Sequence, residues 1–143
     1  MNGVSPDVVL LDTDVWSGLF VDARQRDRRV AGWRELLLGR DVAIATQTRA
    51  EVLAGARSAR WGEGRMGALR AQLDATATVP VTREVIETYA DLTASLRHSG
   101  HALHQKNHTG DRWIAATALA IGAALLTGDG IYEGAPGLVL LGA

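Results

Sequence analysis

Four short runs of uninterrupted apolar residues set the tightest limit on this fold: Val8-Val9-Leu10-Leu11, Val42-Ala43-Ile44-Ala45, Ala123-Ala124-Leu125-Leu126 and Leu138-Val139-Leu140-Leu141. A strand wet on one face alternates apolar and polar residues, whereas a strand covered on both faces is apolar throughout. The runs therefore predict buried strands of a parallel sheet. A fifth segment, Thr78 to Val81, is a weaker candidate, and Pro80 confines it to an edge or a bend because proline cannot donate to a ladder. Helical stripes fill the intervals. Val30, Trp33 and Leu37 share one stripe, and Met66, Leu69 and Leu73 share another. Val85, Tyr89, Leu92 and Leu96 fall on one face of a third helix, which Thr82 starts and Gly100 stops. From Asp111 to Gly122 the chain is alanine-rich, with high helix propensity and small side chains that allow close packing. Strand and helix alternate, which predicts an α/β fold with a mainly parallel sheet. His98 to Gly110 is the least periodic stretch and reads as a loop; Gly62 to Gly67 reads as a second break.

A chain of 143 residues fits one compact domain, 1–143, and shows neither an internal repeat nor a linker. The apolar fraction of 47% is enough for a core, and the lack of cysteine excludes disulfide frameworks, thiol nucleophiles and Cys-ligated zinc. Met1 to Asp7 lacks the basic and apolar regions of a signal peptide. No apolar stretch reaches the ~18 residues of a transmembrane helix. The expectation is a cytoplasmic protein with no membrane part, in which the Asn107-His108-Thr109 sequon is chance. Net charge is −1, yet Arg24 to Arg70 holds eleven arginines and five acids, a balance of +6, against −7 for the rest. One part of the chain can meet phosphates while another gathers carboxylates; solvated helix faces account for the same numbers.

Four acids stand where strands end. Asp12 follows the first apolar run directly, and Asp129 follows the third after Thr127-Gly128. Glu51 sits just inside the helix after the second run, and Asp111 opens the alanine-rich helix. Open α/β sheets bind ligands beyond the carboxyl ends of their strands, so all four can reach one site. Two bare charges ~4 Å apart repel by about 4 kcal/mol at an effective dielectric of ~20. Protonation or bound cations must relieve that repulsion. Oxygen-only ligands suit Mg²⁺ or Mn²⁺, which activate water and stabilise a departing oxygen in phosphodiester cleavage. Each acid also has a plainer use: Asp12 and Asp111 as helix caps, Glu51 as a solvated acid, Asp129 as a turn residue in Gly128-Asp129-Gly130.

Leu10-Leu11-Asp12-Thr13-Asp14-Val15 resembles the opening motif of PIN domains, and Thr48-Arg49-Ala50-Glu51-Val52-Leu53-Ala54-Gly55 resembles their second. Asp111-Arg112-Trp113-Ile114-Ala115-Ala116-Thr117-Ala118-Leu119 is similar to the third and most specific motif, and Leu125-Leu126-Thr127-Gly128-Asp129 to the fourth. The order and spacing agree, and the resemblance covers nearly the whole chain. It implies an α/β/α sandwich and an Mg²⁺- or Mn²⁺-dependent endoribonuclease. Asp12, Glu51, Asp111 and Asp129 would then be the catalytic, metal-binding quartet, with Thr127 supporting the site through its hydroxyl. Similarity to the VapC branch further implies the toxin of a VapBC-type toxin–antitoxin module: RNA as substrate, a cognate antitoxin that blocks the site, and a homodimer. Asp14 departs from the family, where many members carry a neutral residue, and reads as a local helix cap.

Other residues divide more evenly. Arg112 suits a phosphate contact or a surface ion pair. Trp16, Trp33, Trp61 and Trp113 suit core packing better than base stacking. His98, His101, His104 and His108 lack a zinc spacing and read as surface residues. Two rival functions remain. Asp12-Thr13-Asp14 also resembles the first motif of haloacid-dehalogenase-type phosphatases, with Thr46, Lys106, Asp129 and Glu133 as partners, but Trp16 replaces their usual threonine and the Asp111–Leu119 stretch goes unexplained. The other rival is an inactive PIN scaffold that binds RNA or protein, against which the intact quartet argues.

Overall fold

The computed structural model describes residues 8–22 and 26–142. Met1 to Asp7 and Arg24, on which the signal-peptide and charge readings partly rest, lie outside the described residues. The elements run β1 (Val8–Leu11), α1 (Thr13–Phe20), α2 (Val30–Leu37), β2 (Asp41–Ala45), α3 (Thr46–Ser58), α4 (Glu63–Asp74), β3 (Ala77–Val79), α5 (Arg83–Ser99), α6 (Thr109–Ile121) and β4 (Ala124–Leu126). All strand pairs are parallel, in the order β3-β2-β1-β4. Val9 pairs with Val42 on one side and Ala124 on the other, which places β1 at the centre.

The continuous apolarity of the strands has its cause in two cores, one on each face of the sheet. Leu10, Ala43, Ala45 and Leu125 pack with Leu92 and Leu96 of α5 and Ile114, Ala115 and Ala118 of α6. Val9, Leu11, Ile44 and Leu126 pack with Val15 and Trp16 of α1, Val30 and Trp33 of α2, Ala56 of α3, and Met66, Leu69 and Leu73 of α4. The result is a three-layer α/β/α sandwich, as the sequence predicted. Thr82 caps α5 by accepting from Val85 N at 3.2 Å, and Gly100 ends it in a left-handed conformation. Among the described residues no helix is long and apolar enough to cross a membrane.

Three expectations are corrected. Leu138 to Leu141 forms only a single bridge, Leu125 to Leu140, and no strand. Gly137 and Gly142 take positive φ at its ends, and Val139 is 63% exposed, so the run makes one ladder contact and turns away. His98 to Gly110 is not a loop throughout: α5 extends to Ser99, two 3₁₀ turns span 102–104 and 106–108, and α6 begins at Thr109. The break near Gly62 is shorter than expected. Arg60 adopts φ 58° to reverse the chain, Gly62 caps α4, and Gly64 and Gly67 lie inside that helix.

Candidate active site

Because β1 is central, the crevice beyond its carboxyl end lies between the chain leaving β2 and the chain leaving β4. Asp12 stands at this point. Its N–H donates to Leu126 O at 2.9 Å, one residue beyond the β1–β4 ladder. Its Oδ1 accepts from Thr13 N at 2.9 Å, so the plainer reading of Asp12 as the cap of α1 is also true. The Thr127 hydroxyl donates to Oδ2 at 2.7 Å, as the motif resemblance implied. Asp12 is only 6% exposed. Burial pushes its carboxyl up to about 6; the Thr127 hydrogen bond works against this, and the charges of Asp14 and Asp111 add to it.

Asp111 is not the cap of α6. That position belongs to His108, and Asp111 sits in the first turn. His108 Nδ1 lies 2.8 Å from Asp111 Oδ2, which corrects the reading of this histidine as a surface residue. The phenol of Tyr132 joins the two acids, 3.3 Å from Asp12 Oδ1 and 3.2 Å from Asp111 Oδ1. Burial and the two neighbouring carboxylates push the phenol well above its usual value, so it remains a donor.

Glu51 approaches from α3 through Thr13. The Thr13 hydroxyl donates to Glu51 Oε1 at 2.6 Å, while Gln47 Nε2 donates to Oε2 at 2.9 Å. A Cβ at Gly110 would stand 2.7 Å from Glu51 Oε2, so glycine lets the first turn of α6 lie directly against this carboxylate. Asp129 is more distant in function. Its N–H donates to the Thr127 hydroxyl at 3.0 Å, and its Oδ1 caps the 3₁₀ turn Gly130–Tyr132 by accepting from Ile131 N. Asp12 and Asp111 thus share a partner directly, Glu51 joins through Thr13, and Asp129 joins through Thr127. Among the described residues no three carboxylate or imidazole groups converge far enough to form a metal cage by themselves. Asp14 accepts from Val15 N at 2.9 Å and Gly128 N at 3.2 Å, so it holds the β4 turn as well as capping locally.

Arg112 is buried at 6%, which excludes both the phosphate contact and the surface ion pair expected of it. Its guanidinium donates to Leu103 O, Gln105 O, the Tyr89 hydroxyl and the Thr109 hydroxyl, and so ties the 3₁₀ turns to α6. Trp16 and Trp33 are core residues; Trp113 stacks on Tyr89 at 3.9 Å and Trp61 is covered by Arg65 at 3.7 Å. The phosphatase reading loses its cast as well: Lys106 is exposed and the Thr46 hydroxyl donates to Val79 O. Sequence reasoning missed Thr13, Gly110 and Tyr132. Thr13 lay inside the quoted first motif; nothing in the local pattern distinguished Gly110 or Tyr132.

Comparison with known proteins agrees with this architecture. The chain is similar in structure to VapBC2 from Rickettsia felis bound to a DNA fragment from their promoter, with a TM-score of 0.74 and 22% identity over 93% of this chain and 96% of that one. It is similar to FitAcB from Neisseria gonorrhoeae, with a TM-score of 0.70 and 26% identity over 92% and 96%. It is also similar to VapBC-5, a member of the VapBC family of toxin-antitoxin systems from Mycobacterium tuberculosis, with a TM-score of 0.60 and 25% identity over 94% and 94%. Comparison with curated protein sequences finds no match. The likeness to VapC-type proteins drawn from the motifs is borne out, and since the PIN domain model matches residues 9–137, the chain belongs to the PIN domain family.

Proposed function

We propose that this chain is a metal-dependent endoribonuclease of VapC type, acting as one domain in the cytoplasm and forming the toxin of a toxin–antitoxin pair. The observation that carries the reading is the bridge Asp12–Tyr132–Asp111 at the carboxyl end of the central strand. It holds two carboxylates against one phenol proton, with Asp12 buried and its pKa raised. Such a site is short of positive charge. Its oxygen donors fit Mg²⁺, which takes one or two carboxylates and keeps several waters, or Mn²⁺. Asp12 and Asp111, which share Tyr132, would hold the metal directly, and Glu51 and Asp129 would complete the quartet through its waters. When bound, it supplies an activated water and charge to stabilise the departing oxygen of a phosphodiester.

The chain's own residues do the orienting. Thr127 and Thr13 N fix both oxygens of Asp12. Thr13 and Gln47 fix both oxygens of Glu51, and His108 holds the second oxygen of Asp111. The similar VapBC-5 from Mycobacterium tuberculosis is a member of the VapBC family of toxin-antitoxin systems, which supports an antitoxin as partner. A homodimer is part of the same proposal.

The test is cleavage of total RNA by purified protein with Mg²⁺ or Mn²⁺ and with chelator. Metal-dependent products with 5′-phosphate and 3′-hydroxyl ends are expected. Equal cleavage in chelator refutes the metal, and RNA binding without cleavage under all metals favours an inactive scaffold.

A further inference from the structure

Tyr132 is 1% exposed, and its hydroxyl meets two acceptors with a single proton. A phenol can complete a hydrogen bond to only one carboxylate oxygen at a time, and the other then faces a lone pair. Asp12 Oδ1 also accepts from Thr13 N, so the phenol proton can serve Asp111 Oδ1 without leaving Asp12 Oδ1 short of a donor. The position of Tyr132 is also fixed from both sides. Asp129 Oδ1 caps the turn in which Tyr132 lies, and Glu133 O, on the next residue, lies 2.6 Å from His101 Nε2. The ring packs in the core beneath α5 and α6 with Leu103 and Ala135. A rigid phenol therefore reaches two acids from distant parts of the chain, Asp12 after β1 and Asp111 in α6.

We propose that Tyr132 is a positioning residue for the metal site: its hydroxyl orients Asp12 and Asp111 toward one divalent cation. This inference rests on the metallonuclease reading. The shared donor sets one rotamer for each carboxylate, and the cation supplies the charge that one proton cannot. Partners of this kind, which touch ligands and not the metal, typically change metal affinity by about 10–100-fold when removed.

The experiment is a Mn²⁺ titration of metal-free wild type, Tyr132→Phe and Asp12→Asn, followed by electron paramagnetic resonance of the free ion. The phenylalanine variant is expected to bind Mn²⁺ at least ~10-fold more weakly. Its RNA cleavage should be largely restored by raising Mn²⁺, which a merely unstable variant would not show. Failure of wild type to bind Mn²⁺ sinks the metallonuclease reading itself. Wild-type binding lost in Asp12→Asn but unchanged in Tyr132→Phe overturns only the role of Tyr132. A second measurement covers the case in which Tyr132→Phe does not fold. The chain has two tyrosines, so ¹³Cζ-tyrosine labelling gives two resonances, assigned with Tyr89→Phe. Mg²⁺ should move the Tyr132 signal in step with site occupancy. A Tyr132 signal that stays fixed while Mg²⁺ binds overturns the proposal.

Discussion

Replacing Asp12 by asparagine should stabilise the metal-free protein near pH 7.5 while abolishing its response to metal. Burial raises the Asp12 pKa from its ordinary 3.8 to about 6. A folded-state pKa above the unfolded one means that the folded protein keeps a proton the unfolded chain has lost. The associated stability is fully present below about pH 3.8 and is lost as pH rises through about 6. At ~1.36 kcal/mol per pH unit the loss is about 3 kcal/mol, a large share of the ~5–15 kcal/mol that holds a domain folded. Asparagine has no charge to desolvate. Its oxygen can still accept from Thr13 N and the Tyr132 hydroxyl, but its amide must donate to Thr127, whose hydroxyl already accepts from Asp129 N. That adjustment costs about 1 kcal/mol. The net gain at pH 7.5 is about 2 kcal/mol, or about 6 °C in melting temperature for a chain of this size. Urea unfolding of both proteins in chelator at pH 4.5, 5.5, 6.5 and 7.5 reads the difference directly, since every other titrating group is common to both. The variant should gain on the wild type as pH rises, and Mg²⁺ should stabilise only the wild type. A stability difference that does not change between pH 4.5 and 7.5 refutes the account of Asp12 as a buried charge.

Four further outcomes are expected. Gly110→Ala should leave the melting temperature nearly unchanged yet cut RNA cleavage: the new Cβ displaces the flexible ends of Glu51 and Gln47, while alanine gains up to about 1 kcal/mol of helix propensity. Glu51→Gln should lose most metal-dependent cleavage, whereas Lys106→Ala, exposed and outside the network, should keep it. In an inactive background, removing an exposed arginine that meets phosphate should flatten the log–log salt dependence of RNA binding by about 0.7. Arg57→Ala and Arg60→Gly test this, glycine being chosen because Arg60 has φ 58°. Light scattering at micromolar concentration should report a dimer, and a strict monomer would contradict that part of the proposal alone.

The strands were legible because burial on both faces leaves a mark in every residue. Val8 to Leu11 has no polar position to offer water, and the sheet places it centrally between β2 and β4. Leu138 to Leu141 carries the same mark for a different reason. Its glycine-bounded turn bridges Leu125 through Leu140 alone and exposes Val139, and apolarity alone does not distinguish one contact from a ladder. Pro80 was more informative than any apolar residue, since a missing N–H is a backbone fact. It follows directly after the edge strand β3, where it ends the pairing.

The site was legible in its acids and opaque in its connections. Strand ends located Asp12, and a motif located Asp111, but nothing in one dimension says that a phenol three positions beyond Asp129 returns to both. Arg112 shows the converse. Beside a proposed ligand, an arginine invites a phosphate, yet its Nη1 already donates to Leu103 O and Gln105 O in the segment that sequence could not order. The two facts have one cause. The 102–108 segment has no periodic core of its own, so Arg112 holds it to α6 from within, and His108 then reaches Asp111 from its end. Weakening this tie should therefore act on the site at a distance. Arg112→Lys offers one ammonium where four guanidinium hydrogen bonds served, so His108 should lose its fixed place beside Asp111. The expected result is weaker Mn²⁺ binding with Asp12 and Tyr132 intact. Unchanged Mn²⁺ affinity in a folded Arg112→Lys would show that Asp111 needs no support from that segment.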